Sequence, residues 1–180
     1  MKIQPLFSTK ERELILAYLL DHPSEKINMN QLARKLRISV GQIHKYISIL
    51  RREGIVKDNN LQDTPTIRSL RILHNLQKIN ERKVIQLLKR SIPDILGIGI
   101  YGSWAKGTNI ENADLDIWIK IKKSPSDIDI AKTRKEIESA IRVSVDMTIA
   151  TPESMKHFRE KSDSFYFSLY NGIKLWGKEL

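Results

Sequence analysis

The chain has 180 residues, room for one ordinary domain or two small ones, and 41% of them are hydrophobic, enough for a packed core. It contains no cysteine, which excludes disulfides and thiolate metal sites. It also lacks any apolar run near the ~20 residues of a membrane span, and Met1-Lys2-Ile3-Gln4-Pro5 does not read as a signal peptide. A cytoplasmic protein with no membrane partner is therefore expected. The net charge of +10 lies in one half: residues 1–90 carry 18 Lys and Arg against 8 Asp and Glu, whereas residues 91–180 carry 13 of each. That asymmetry points to a polyanion-binding module in the first half, the plainer alternative being simple solvation of helical faces.

In chain order, Ser8 can cap a helix running through Leu14, Ile15, Tyr18 and Leu19, which Asp21-His22-Pro23 stops. A second short helix fits Asn30 to Leu36. Ser39 opens a third, with Ile43, Ile47 and Leu50 at helical spacing and Gly54 ending it after Glu53. The tight turn Arg37-Ile38-Ser39 makes the last two a helix-turn-helix. Ile55-Val56-Lys57, a turn at Asp58-Asn59-Asn60 and a return strand from Leu61 would add a wing.

Residues 8–64 resemble the winged helix-turn-helix of many transcription regulators. The resemblance is carried by Met29-Asn30-Gln31-Leu32-Ala33-Arg34-Lys35-Leu36, by Ser39-Val40-Gly41-Gln42-Ile43 and by Leu50-Arg51-Arg52-Glu53-Gly54-Ile55-Val56. It implies that the third helix enters the major groove of double-stranded DNA and presents Ser39, Gln42, Lys45, Arg51 and Arg52. Gln42 suits a base edge, and Lys45, Arg51 and Arg52 suit phosphates. Such folds also serve as protein-docking or dimerisation modules, and both uses stay open here. His44 reads as a surface or half-buried residue of the same helix rather than a catalyst.

Thr64-Pro65 reads as an N-cap with proline at the first helical position. The apolar series Ile67, Leu70, Leu73, Leu76 and Ile79 predicts one linker helix over 65–80, whose stripe would suit a homodimer seam. Asn80 is placed to cap a further helix, 81–90, with Val84, Leu87 and Leu88 inward and Pro93 closing it.

From Ile95 the pattern becomes that of a strand. Gly97-x-Gly99-x-x-Gly102 matches the dinucleotide-binding fingerprint literally, but Ile98 and Ile100 between the glycines are strand residues and no helix opens inside the motif, so that reading fails. Ten residues after Gly102-Ser103 comes Asp114-Leu115-Asp116. Leu115, Ile117, Ile119 and Ile121 alternate on one strand face, so Asp114 and Asp116 share the other. Two carboxylates side by side on an apolar-backed strand are costly without a cation, and hard divalent ions take such ligands together with substrate phosphates. In residues 142–149 the apolar set Val143, Val145, Met147 and Ile149 leaves Asp146 on the polar face with Ser144 and Thr148. If the two strands are neighbours, Asp146 joins the pair, and three carboxylates suit a two-metal site.

Residues 81–180 resemble the DNA polymerase β-like nucleotidyltransferase superfamily, above all its minimal nucleotidyltransferases. The resemblance rests on Gly102-Ser103-Trp104-Ala105-Lys106-Gly107-Thr108 and Ala113-Asp114-Leu115-Asp116-Ile117, with Asp146 as the third carboxylate. It implies a short helix whose Gly102 and Ser103 hold the phosphates of an NTP, ATP being favoured, with Lys106 as a nearby positive charge. It further implies Asp114, Asp116 and Asp146 as catalytic residues and ligands of two Mg²⁺ ions, with Asp146 helping to deprotonate the acceptor hydroxyl. Trp104, Lys106 and Ala113 depart from the family's usual arginines and serine, which bears on phosphate grip and removes no metal ligand. Trp104 reads as a packing residue on the short helix, base stacking being the alternative.

Ser126 to Ile141 predicts a helix with Ile128, Ala131, Ile137 and Ile141 inward, Thr151-Pro152 starts another, and residues 171–177 read as a closing strand. The fold class expected is two-domain α+β: a mainly-α winged helix-turn-helix over 1–64, the linker helix 65–80, and over 81–180 an α/β polymerase β-like domain with a mixed sheet. The function expected is Mg²⁺-dependent transfer of NMP from NTP to an acceptor hydroxyl. A partner protein such as a toxin is one acceptor the resemblance implies. A nucleic acid end is another. The alternative is a DNA-binding regulator whose second domain senses NTP or mediates assembly.

Overall fold

A computed structural model describes residues 6–161 and 163–180, and the chain divides into two compact units between Leu70 and Arg71. In the first, helices α1 (Lys10–Asp21), α2 (Met29–Leu36) and α3 (Val40–Arg52) precede a hairpin of β1 (Val56–Lys57) and β2 (Asn60–Leu61). Ile15, Leu16, Leu19, Leu32, Ile43, Ile47 and Leu50 form its core. Two expected starts shift by one residue. Thr9, not Ser8, has the extended backbone of an N-cap and accepts from the Arg12 N–H at 3.3 Å, while Ser8 Oγ accepts from the Arg12 guanidinium instead. Asn28 caps α2 in the same way, so that helix starts at Met29 rather than Asn30. The wing turn is tighter than expected: Asp58 and Asn59 alone carry positive φ (50° and 60°), and Asn60 already pairs with Lys57.

Helix α4 (Pro65–Glu81) begins as expected, Thr64 Oγ1 accepting from the Ile67 N–H. Its apolar stripe is divided along its length: Ile67 and Leu70 join the first unit's core, and Leu76 and Ile79 join the second unit's, leaving Leu73 57% exposed. Most of the stripe thus finds its cover within the chain. Asn80 is no cap. The helix continues to Glu81, the Asn80 carbonyl accepts from the Lys83 N–H, and Lys83 turns left-handed (φ 55°) before α5 (Val84–Ser91).

The second unit is built on a four-stranded sheet in the order β5-β4-β3-β6. Strands β3 (Ile95–Ile100), β4 (Leu115–Ile121) and β6 (Ile173–Gly177) pair antiparallel, and β5 (Val145–Ala150) lies parallel to β4, so the sheet is mixed. Parallel neighbours require a crossover, which α7 (Asp127–Ile141) supplies. One face buries Ile98, Ile100, Ile117, Ile119 and Met147 together with Val84, Leu88, Ile137 and Ile141 of α5 and α7. On the other, Tyr101 and Trp118 meet Leu169, Phe158 and Phe165 of α8 (Pro152–Lys161) and α9 (Asp163–Tyr170). Among the described residues no helix is long and apolar enough to cross a membrane.

Helix α7 corrects one expectation. Ile128 is 80% exposed and Ala131 is exposed, while Thr133 is buried in line with Ile137 and Ile141. Ile128 lies nine residues before Ile137, about two and a half turns, and so falls on the opposite side of the helix.

The strand reading of the glycine motif has a steric basis. A Cβ on Gly99 would lie 2.2 Å from the Trp118 ring on β4, and one on Gly97 would lie 2.0 Å from the Lys178 carbonyl oxygen. These glycines make room for protein neighbours. Gly99→Ala is therefore expected to cost about 1–3 kcal/mol of stability, read by urea unfolding with no nucleotide present. A Gly99→Ala chain of unchanged stability that lost nucleotide binding would revive the dinucleotide reading.

Candidate active site

Strand β3 delivers the chain to the site through Tyr101, whose extended backbone donates its N–H to the Asp116 carbonyl at 3.1 Å. Gly102 then adopts φ +65° and opens the short helix α6 (Gly102–Lys106). A Cβ there would stand 2.0 Å from Asp116 Oδ2. Only glycine permits both the left-handed backbone and a carboxylate pressed against it. The opening of α6, where the first N–H groups have no helical partners, is thereby placed beside Asp116.

Asp116 occupies the β4 face opposite its buried neighbours Leu115, Ile117 and Ile119, and in the parallel register it stands directly beside Asp146 on β5. Asp114 precedes β4 by one residue on the same side. Burial raises the Asp116 carboxyl above its usual range, and the negative charges of Asp146 and then Asp114 add to the effect. No ion pair is made to Asp114, Asp116 or Asp146 among the described residues, and no group of three or more His, Asp or Glu there is spaced to hold a metal ion. The donor chemistry nevertheless fits Mg²⁺, which takes one or two carboxylates and completes its shell with substrate phosphates and water. Hard oxygens that repel one another and lack a cation are such a donor set.

Around this pair, Ser103 is half-buried in the first turn of α6 and Lys106 is exposed in its last. Trp104 is a packing residue, as expected: it is buried, its indole N–H donates to the Ala113 carbonyl at 3.1 Å, and Lys78 lies over its ring. It ties α6 to the segment entering β4.

Two residues of the site escaped sequence reasoning. Tyr101 is buried, its hydroxyl lying 2.8 Å from Thr148 Oγ1 and 3.5 Å from Asp146 Oδ2. Burial, foremost, pushes the phenol up to about 12, with the carboxylates of Asp146 and Asp116 acting in the same direction against the Thr148 hydrogen bond. The signal for it was present, since Tyr101 continues the alternation of Gly97 and Gly99 onto the carboxylate face. Asn75 of α4 is buried and donates to the Trp104 carbonyl and to Asn109 Oδ1, both at 2.9 Å, bracing the C-terminal end of α6. Nothing in the one-dimensional pattern marks that contact.

In the first unit, Ser39, at the N-cap of α3, and Gln42, Lys45, Arg51 and Arg52 on the helix are all exposed, as is His44. Their engagements differ. Ser39 caps α3 and hydrogen-bonds the Gln42 side chain at 3.0 Å, while Arg51 donates to Asn59 Oδ1 at 2.6 Å, linking α3 to the wing turn. Arg52 lies 3.7 Å from Glu53, and Lys45 projects into solvent.

Comparison with known proteins agrees with both halves. Residues 82–165 match the family described as Polymerase beta, Nucleotidyltransferase, and residues 12–57 match Winged helix-turn-helix DNA-binding. A curated relative, the protein adenylyltransferase MntA of Shewanella oneidensis, is 32% identical over 72 residues, which are 40% of this chain and 52% of that protein. The chain thus spans about half the length of the curated relative it matches. Similar solved structures include a toxin-antitoxin with AMP-PNP (26% identity, TM-score 0.42, covering 55% of this chain and 74% of that one). Another is the tri-AMPylated HEPN toxin of Shewanella oneidensis in complex with MNT antitoxin (25%, TM-score 0.41, covering 57% and 73%). A third is the spectinomycin adenyltransferase of Enterococcus faecialis with ATP and spectinomycin (16%, TM-score 0.38, covering 58% and 56%).

The like charges at Asp116 make a pH-dependent prediction. Because its carboxyl titrates higher folded than unfolded, its ionised form opposes folding at neutral pH, and this burden is lifted as pH falls through that raised range toward the ordinary aspartate range. Asp116→Asn should therefore raise the melting temperature at pH 7 in EDTA, and the advantage should shrink as pH is lowered. Thermal unfolding that shows no gain at pH 7 would mean the carboxylates are not in electrostatic conflict.

Proposed function

We propose that this chain, a polymerase β-type nucleotidyltransferase domain joined to a winged helix-turn-helix domain, transfers NMP from NTP to an acceptor hydroxyl. The observation that carries the reading is one juxtaposition. Asp116 stands in register with Asp146 while its carboxylate lies against Gly102, so the acidic pair and the opening of α6 share one place.

In this reading Gly102 and the free N–H groups of α6, with the Ser103 hydroxyl, hold the β- and γ-phosphates, and Lys106 adds positive charge at their edge. Asp114 and Asp116 would hold two Mg²⁺ ions, and Asp146 would share in ligating one of them. Bound there, the ions supply charge neutralisation for the phosphates and the phosphorus under attack. Asp146 accepts the proton of the acceptor hydroxyl. The acceptor oxygen bonds to the α-phosphorus, the bond to the β-phosphate bridge breaks, and pyrophosphate leaves. The likeness to a protein adenylyltransferase supports ATP as donor and a protein hydroxyl as acceptor. The winged helix match and the exposed cations of α3 support a double-stranded DNA partner, with Gln42 toward base edges and Lys45 and Arg52 toward phosphates.

Incubation with α-labelled ATP, Mg²⁺ and cell extract should place label on a protein band, and Asp114→Ala/Asp116→Ala should reduce it to background. Equal labelling by that double variant would sink the transfer reading. Label on RNA instead would keep the chemistry and change the acceptor. For the first unit, affinity for duplex DNA should fall steeply with salt, and Lys45→Ala or Arg52→Ala should each flatten the log–log slope by about one. Salt-independent or absent binding would turn that module toward protein docking.

A further inference from the structure

Asp146 enters the site from an exposed position at which, among the described residues, no cation or capping N–H holds it, yet the proposed chemistry asks its carboxylate to keep one orientation. Besides its register partner Asp116, what faces it is the pair Tyr101 and Thr148. Thr148 lies two residues beyond Asp146 on β5, so both side chains are on the same face. The Tyr101 hydroxyl sits 2.8 Å from Thr148 Oγ1 and 3.5 Å from Asp146 Oδ2. Its ring is buried at 5% exposure and packs edge-to-face on Phe165 at 5.9 Å, and its backbone N–H is bonded to the Asp116 carbonyl. The hydroxyl is thus fixed from three sides before any substrate arrives.

We propose that Tyr101 is a positioning residue for Asp146: Thr148 donates to the phenolic oxygen, and the phenolic O–H is aimed at Asp146 Oδ2. With Oδ2 held toward Tyr101, Oδ1 is the oxygen that an ion and the acceptor hydroxyl would meet. A hydroxyl suits this task, because it fixes direction without bringing the positive charge of a lysine or arginine that would compete with the metal. An alternative hydrogen-bond sense, with Tyr101 donating to Thr148, would leave Asp146 unheld and make the tyrosine a packing residue only. The inference rests on the reading of Asp146 as a metal ligand and adds what orients it.

The test uses the full chain with Mn²⁺ and a non-hydrolysable ATP analogue, and counts bound Mn²⁺ by electron paramagnetic resonance. Asp146→Asn is the reference and should weaken the tighter binding markedly. Tyr101→Phe keeps the ring and its packing, and should weaken Mn²⁺ binding by about tenfold, the lower end of what outer partners of metal ligands contribute. Thr148→Val should match it, Thr148→Ser should restore wild-type binding, and Tyr101→Phe/Thr148→Val should be no worse than either alone. In the transfer assay both variants should lose kcat with KM for the nucleotide little changed. If Asp146→Asn weakens Mn²⁺ binding while Tyr101→Phe and Thr148→Val stay within about twofold of wild type, the positioning role is overturned and the metal reading survives. If Asp146→Asn itself leaves Mn²⁺ binding unchanged, the ligand reading fails and this proposal falls with it. Melting curves of each variant show whether folding is intact. Should Thr148→Val unfold, the Thr148→Ser and Tyr101→Phe pair decides alone.

Discussion

The second unit is organised around a repulsion. Asp116 and Asp146 are register partners on parallel strands, and the carboxyl of Asp116 is raised by burial and by its acidic neighbours. A fold seldom keeps such an arrangement without use for it, because replacing either side chain with a neutral one would relieve the strain at no loss of packing. The rest of the domain supplies what the pair requires. Its buried face holds β4 and β5 together through Ile117, Ile119 and Met147. The parallel register that brings the carboxylates side by side depends in turn on the α7 crossover. Glycine at 102 lets the backbone approach Asp116 to a distance no side chain would allow.

The same economy explains why α6 can be so short. It spans Gly102–Lys106 only, too little to be stable as an isolated helix. Its stability comes from anchoring: Trp104 is buried and bonded to Ala113, Asn75 bonds the Trp104 carbonyl, and Gly107 closes the end with a left-handed turn. These contacts fix the opening of the helix relative to β4. The anchoring residue of this helix is an aromatic, and its one cation, Lys106, stands exposed in the last turn. In the proposed reading, phosphate recognition would lean more on backbone N–H groups and on Ser103 than on side-chain charge.

How much of this was legible in the sequence follows from the range of each interaction. Strand alternation is local, so the shared face of Asp114 and Asp116, and the polar face of Asp146, could be read from residues two apart. Caps are local too, yet Ser8 and Thr9 offer equivalent hydroxyls one residue apart, and only the backbone chooses between them. Asn80 misled for a related reason: a residue fit to cap sits where α4 still has a turn to run. Ile128 misleads because apolar character alone does not mark the inward face, and the stripe is set by Thr133, Ile137 and Ile141. Contacts that join distant segments, such as Asn75 to Trp104 and Tyr101 to Thr148, were out of reach. They depend on which strands are neighbours and on how helices lie across them, and a single sequence leaves both open.

Gly102 shows how a local motif and a tertiary contact can be one fact seen twice. In sequence it is the last glycine of a false dinucleotide fingerprint and the first residue of a true Gly-Ser turn. In the structure its left-handed φ starts α6, and its missing side chain leaves the space that Asp116 Oδ2 fills. The two earlier glycines make room for the Trp118 ring and the Lys178 carbonyl, so the three serve different neighbours and form no common cradle. A spacing match therefore carries weight only when each residue in it can be assigned a partner. Applied to the acidic residues, that criterion is met for Asp116 and Asp146, which face each other directly. For Asp114 it rests on the charge it contributes to its neighbour, since it stands exposed at the mouth of β4. Its place there, ahead of the strand and open to solvent, sets it apart from the other two, which are register partners within the sheet.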